Sequence, residues 1–173
     1  MRQVFHDELE AIADDLVSLS ELVSTAIRDS TRALLEADVQ LAERVIESDQ
    51  DIDARRNDLD ARSVDLLARQ APVASDLRKA LGAIKMASDL ERTGDLAKNI
   101  AKRALILAEA QPMQPLTRSI ERMGRLVSNR LRDVLDAYTA SEIDRAVAVW
   151  QTDDEVDEHY NALFRELLTY MMG

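Results

Sequence analysis

Apolar side chains return every three or four positions through most of this 173-residue chain, and that period commits it to helices. Phe5, Leu9, Ile12, Leu16, Leu19, Val23 and Ala26 alternate spacings of four and three, which makes one face of a long amphipathic helix continuing towards Leu34. Asp38 is placed to cap a second helix, whose spine of Val45, Ile52, Leu59 and Leu66 recurs every seven residues. Ala71 and Pro72 should end it, because proline disfavours helical geometry in the residue before it. A third helix is predicted from near Ser75 towards Ala108, in spite of Gly82 and Gly94, after which Pro112 and Pro115 break the chain. A fourth should span Leu116 to Ala137, and Ser141 with Asp144 three residues on marks the capped start of a fifth. No alternating strand pattern occurs, and 3% aromatic residues give a sheet core little to be built from. The expected fold class is all-α.

The chain also repeats itself. A shift of 104 positions, without a gap, places Val23 on Val127, Arg28 and Asp29 on Arg132 and Asp133, and Ala42 on Ala146. The same shift places Val45 on Val149, Asp49 on Asp153, Ile52 and Asp53 on Val156 and Asp157, Asn57 on Asn161, and Leu59 on Leu163. The first two helices therefore recur as the fourth and fifth. A copy of the third would begin near position 178, beyond Gly173. The expected organisation is tandem three-helix bundles, one complete over residues 1–110 and a second represented by its first two helices over 111–173. The apolar face this leaves unpaired calls for a helix from further sequence or from another chain.

Composition narrows the function. With no cysteine there is neither a disulfide frame nor a thiolate metal site. No apolar run approaches the length needed to span a bilayer, and the N-terminus lacks the apolar core of a signal peptide, so a soluble intracellular protein is expected. The net charge of −11 divides into −9 over residues 1–73, +3 over 74–108 and −5 over 109–173. Nothing in that distribution resembles a large basic footprint, so nucleic acid is not an expected partner. The basic middle segment is more simply read as lying against its acidic neighbours.

Four-residue spacing puts Glu91 and Asp95 on one face of the third helix, about one turn apart. That face carries Ile84 and Leu77 at helical spacing, so the pair lies on an apolar stripe, where a carboxylate needs compensation. Asp49 and Asp53 repeat the spacing beside Ile52 on the second helix, and Asp153 and Asp157 repeat it again beside Val156. Adjacent helices could bring Asp49, Asp53, Glu91 and Asp95 together. Like charges about 4 Å apart repel by roughly 4 kcal/mol per pair at an effective dielectric near 20. Such a cluster calls for cations or extensive hydrogen bonding, and all-oxygen donors suit Mg, Ca, Mn or oxidised iron. The alternative is a salt-bridged seam with Arg55, Arg56, Arg92 and Lys98, and the residues alone leave both open. His6 and His159 add no ligand set, since the Glu-x-x-His signature of ferritin-like di-iron sites is absent.

The string from Met86 to Ala101, with Glu91-Arg-Thr-Gly-Asp95 at its centre, resembles the signature of the PhoU family, bacterial regulators of phosphate uptake. The resemblance extends to the Asp-x-x-Ile-Asp segment at Asp49–Asp53, its copy at Asp153–Asp157, and the duplicated helical organisation. It implies two similar three-helix bundles. It also implies multinuclear iron or zinc clusters held by Glu/Asp-x-x-x-Asp pairs, here Asp49 with Asp53, Glu91 with Asp95, and Asp153 with Asp157. The second Glu-Arg-x-Gly-Asp copy is not in this sequence, which leaves only Asp153 and Asp157 for a second site. The function implied is negative regulation of the phosphate regulon and of phosphate uptake. It would be exerted by a cytoplasmic homodimeric adaptor that links the ATPase subunit of the phosphate ABC transporter to a sensor histidine kinase and meets the membrane only through those partners.

Two other classes compete. One is an enzyme, a carboxylate-metal hydrolase or oxidase in a helical bundle, which would need mixed ligands and an open coordination position. The chain offers no suitably spaced histidines, nucleophile–base pair, P-loop or dinucleotide fingerprint for it. The other is a metal-free scaffold that dimerises through its apolar stripes.

Overall fold

The computed structural model describes residues 2–108, 114–152 and 154–172. Every element in it is an α-helix: α1 (Arg2–Glu36), α2 (Val39–Gln70), α3 (Ala74–Leu107), α4 (Gln114–Thr139), α5 (Ile143–Gln151) and α6 (Asp154–Met172). α1 packs against α2, α3 and α4, while α5 and α6 both pack on α4.

The predicted spines form the core. Phe5, Ile12, Leu16, Leu19, Val23 and Ala26 of α1 are buried, as are Val45, Ile52, Leu59 and Leu66 of α2. α3 meets them with small side chains: its buried line is Ala80, Ala83, Ala87, Leu90, Gly94, Ala97, Ala101 and Ala104. Leu77, by contrast, is exposed and Ile84 only partly buried. The stripe carrying Glu91 is therefore the rim of α3, displaced from its core line, because bulky neighbours on α1 and α2 leave room at the centre for little beyond alanine and glycine, Leu90 excepted. Val127, Leu131 and Tyr138 of α4 lie against the same core.

The turn between α1 and α2 is short and stereochemically specific. Ala37 is left-handed at φ 53°, the Asp38 N–H donates to the Ala33 carbonyl at 3.0 Å, and Asp38 Oδ1 accepts from the Leu41 N–H at 2.9 Å. The turn recurs one repeat later, where Ser141 is left-handed at φ 56° and the Glu142 N–H donates to the Ala137 carbonyl at 2.8 Å. The expected Ser141 cap is thereby corrected. Ser141 holds the left-handed position of Ala37, and Glu142 is the N-cap residue, with no side-chain cap bond.

The expected single fifth helix is divided into α5 and α6. Thr152 turns both its N–H, at 3.2 Å, and its hydroxyl, at 2.9 Å, to the Val149 carbonyl. Its repeat counterpart Ser48 makes the same hydroxyl bond to Val45, at 3.0 Å, within an unbroken α2. The difference lies in packing. α2 is clamped between α1 and α3, whereas no described residue of α5 or α6 is buried.

Candidate functional site: a carboxylate seam between two helices

The contact of Gly94 with Ile52 sets the site. A Cβ on Gly94 would stand 3.0 Å from Ile52 Cδ1 and 3.2 Å from its Cγ2, so glycine lets α3 approach α2 closely here. Asp49 and Asp53 lie three residues before and one after Ile52, and Glu91 and Asp95 lie at the same offsets from Gly94. One close helix contact thus brings two carboxylate pairs face to face.

Their exposure differs sharply. Asp49 is only 4% exposed, while Asp53, Glu91 and Asp95 are partly buried. The Lys98 ammonium, one turn beyond Asp95, bridges the helices: it donates to Asp49 Oδ2 and, at 3.4 Å, to Asp95 Oδ1. The Asp49 hydrogen bond foremost raises the Lys98 pKa, against the opposing effect of burial. Glu91 has no such partner among the described residues. Burial first, then Asp95 and Asp53, raise its pKa, Arg56 opposes them, and Asp49 adds a smaller push.

The seam alternative is thus realised through Lys98, with Arg56 acting at a distance while it pairs with Asp60 at 3.1 Å. Arg55 instead donates to Ser18 of α1 at 2.8 Å. Among the described residues no group of three or more His, Asp or Glu side chains is arranged to hold a metal ion. In this arrangement the donors do not fit a multinuclear centre, and the ammonium of Lys98 occupies the cation position. Of the third pair, Asp157 is exposed in the first turn of α6, and Asp153 lies outside the described residues.

Fold and site together define an all-helical repeat protein whose polar centre is an inter-helix carboxylate–lysine seam. The family described as "PhoU domain" matches residues 16–104 and 120–173. The chain is 49% identical over 169 residues to a phosphate-specific transport system accessory protein PhoU homolog of Caulobacter vibrioides, covering 98% of this chain and 74% of the relative. Against the PhoU protein of Escherichia coli it is 38% identical over 168 residues, covering 97% and 69%. The crystal structure of PhoU from Pseudomonas aeruginosa superposes with a TM-score of 0.92 at 37% identity, covering 97% of this chain and 80% of that one. The chain belongs to the PhoU family.

Proposed function

We propose that this chain is a regulatory accessory of phosphate transport, a negative regulator of the phosphate regulon and of uptake, and not an enzyme. The observation that carries the reading is its 49% identity, along nearly its whole length, to a relative named as an accessory protein of that transport system. The finer reading is a homodimeric cytoplasmic adaptor between the transporter's ATPase subunit and a sensor histidine kinase. It is supported by the absence, among the described residues, of any helix long and apolar enough to cross a membrane, so that contact with a transporter runs through protein surfaces. Co-purification from cells grown in high and in low phosphate tests it. Retention of the ATPase subunit or the kinase is the expected result, and retention of neither sinks the adaptor.

A second reading concerns metal, and the convergence of Asp95, Asp53 and Asp49 on the partly buried Glu91, which Arg56 only partly offsets, favours it. Iron, zinc, or Mg, Mn or Ca would have to displace the Lys98 ammonium from between Asp49 and Asp95. Lys98→Met leaves the buried Asp49 unpaired and should lower stability by about 2 kcal/mol, below the full cost of breaking a deeply buried pair because Lys98 is partly exposed. Metal added to chelator-treated protein should then raise the melting temperature of Lys98→Met more than that of the parent chain. Equal shifts, or none in either protein, would remove the metal from the proposal.

A further inference from the structure

A groove of about 700 Å³ runs between the C-terminal half of α1 and the stretch of α4 from Thr117 to Arg132. Five arginines line it, Arg28 and Arg32 from α1 and Arg118, Arg125 and Arg132 from α4, against the two acids Glu36 and Glu121. In a chain of net charge −11, this is a local surplus of three positive charges among the lining residues, and of two once the adjoining Asp29 is included. Arg28 and Arg32 share Asp29 at 3.6 and 3.7 Å, and Arg125 pairs with Glu121 at 2.5 Å. Arg118 and Arg132 have no ion pair among the described residues, so their guanidinium forks are available. Gly124 lets α4 close on α1 at the floor, where a Cβ would stand 2.9 Å from Thr31 Oγ1. The Ser128 hydroxyl on the groove wall is buried and makes no hydrogen bond among the described residues.

The internal repeat shows that this charge is specific to one end of the α1–α4 contact. Arg28 and Arg132 are repeat counterparts, as are Ser24 and Ser128, and Ser24, Arg28 and Arg132 also line a second groove of about 520 Å³ at the opposite end. The other three arginines have acids at their counterpart positions: Asp136 for Arg32, Asp14 for Arg118 and Glu21 for Arg125. One end of a duplicated surface is therefore basic, while at the other Glu21 and Asp136 balance Arg28 and Arg132. The second groove takes no lining residue from α3, so a third helix set in the second repeat as α3 is in the first would leave the basic end open.

We propose that the basic groove binds a linear polyanion of linked phosphates, either an inorganic polyphosphate or the phosphate chain of a nucleotide. Guanidinium groups match phosphate oxygens as paired donors, and Ser128 adds a neutral hydroxyl beside them. The span of five arginines across two helices exceeds what one phosphate can contact, which selects a chain over the single ion. The site is separate from the carboxylate seam and stands whether or not the adaptor reading does.

Calorimetric titration of the chain with tripolyphosphate, ATP and inorganic phosphate, without added metal, tests the assignment. Tripolyphosphate should bind with an affinity that falls as salt is raised, and inorganic phosphate about tenfold or more weakly. ATP binding as tightly as tripolyphosphate identifies the nucleotide as the source, and weaker ATP binding identifies the inorganic chain. Arg118→Gln with Arg132→Gln should weaken tripolyphosphate binding about tenfold or more, whereas Lys102→Gln with Arg103→Gln, the same charge change on exposed residues of α3, should leave it unaltered. The proposal is overturned if neither phosphate chain binds more tightly than about 1 mM. It is equally overturned if inorganic phosphate matches tripolyphosphate, if both double variants lose binding alike, or if the groove variant binds as well as the parent while melting at the parent temperature.

Discussion

Gly94 has no side chain, and Ile52 occupies the room this leaves. Ile52 is buried and β-branched, so it has little freedom to yield, and Val23 also stands 3.8 Å from the position of the missing Cβ. Gly94→Ala gains helix propensity of up to about 1 kcal/mol, but overpacking of this kind costs roughly 1–3 kcal/mol. A net loss of about 1 kcal/mol, seen as a melting temperature lower by some 2–4 °C, is the expected outcome. Glu91, one turn away, responds to pH. Its folded pKa lies above the unfolded value of 4.5, so its contribution to stability is present below that value and lost as pH rises through the folded pKa. Glu91→Gln should therefore melt higher than the parent at pH 7, and the gap should close as pH falls towards 4.5. A gap independent of pH would show that burial and the neighbouring carboxylates do not disfavour the charged form of Glu91.

At the scale of elements, much of the molecule was legible because the information is local and periodic. The spines of α1 and α2, the Asp38 cap and the stop at Ala71 all follow from spacing and from single residues of known preference. The placement of Asp49 and Asp53 beside the buried Ile52 was legible too, whereas Glu91 and Asp95 come to face them from beside the alanine–glycine line of α3 and not from the Leu77–Ile84 stripe. Three features were not. The core line of α3 was misplaced because alanines, scattered throughout that helix, mark no stripe as large residues do. The helix start at Glu142 was hidden by Ser141 and Asp144, a local capping pattern that the repeat, placing Asp38 on Glu142, contradicts. The arginine groove draws on two helices far apart in sequence, and charge totals over long segments average it away. The duplicated turn carries its own prediction. Ala37 and Asp38 show what that backbone accepts, but glycine and aspartate suit it better than serine and glutamate. Ser141→Gly with Glu142→Asp should stabilise the protein by about 1 kcal/mol, measured by urea denaturation. Loss of stability would mean that Glu142 makes a contact that its N-cap position does not explain.

For the whole molecule, stability is distributed unevenly. α1, α2 and α3 bury one another, and exposed ion pairs such as Arg69 with Glu8, at 3.2 Å, border their seams. α5 and α6 rest mainly on α4, and their large side chains, among them Ile143, Trp150, Phe164, Met171 and Met172, remain exposed. Amide hydrogen exchange should find the slowest protons in α1–α3 and much faster ones in α5 and α6. Uniform protection across all six helices would mean that another surface covers the apolar face in solution.

Because α3 presents almost nothing larger than a methyl group inward, the volume of the bundle's centre belongs to its two neighbours. Errors on that rail are therefore asymmetric. An added methylene at Ala83, Ala87 or Ala97 wedges two helices apart at once, whereas a trimmed leucine on α1 or α2 leaves a void that surrounding side chains can partly refill. Replacement of those alanines by serine or glycine should accordingly be better tolerated than replacement by valine, and the helix works as a gauge that fixes how closely the acidic pairs face each other.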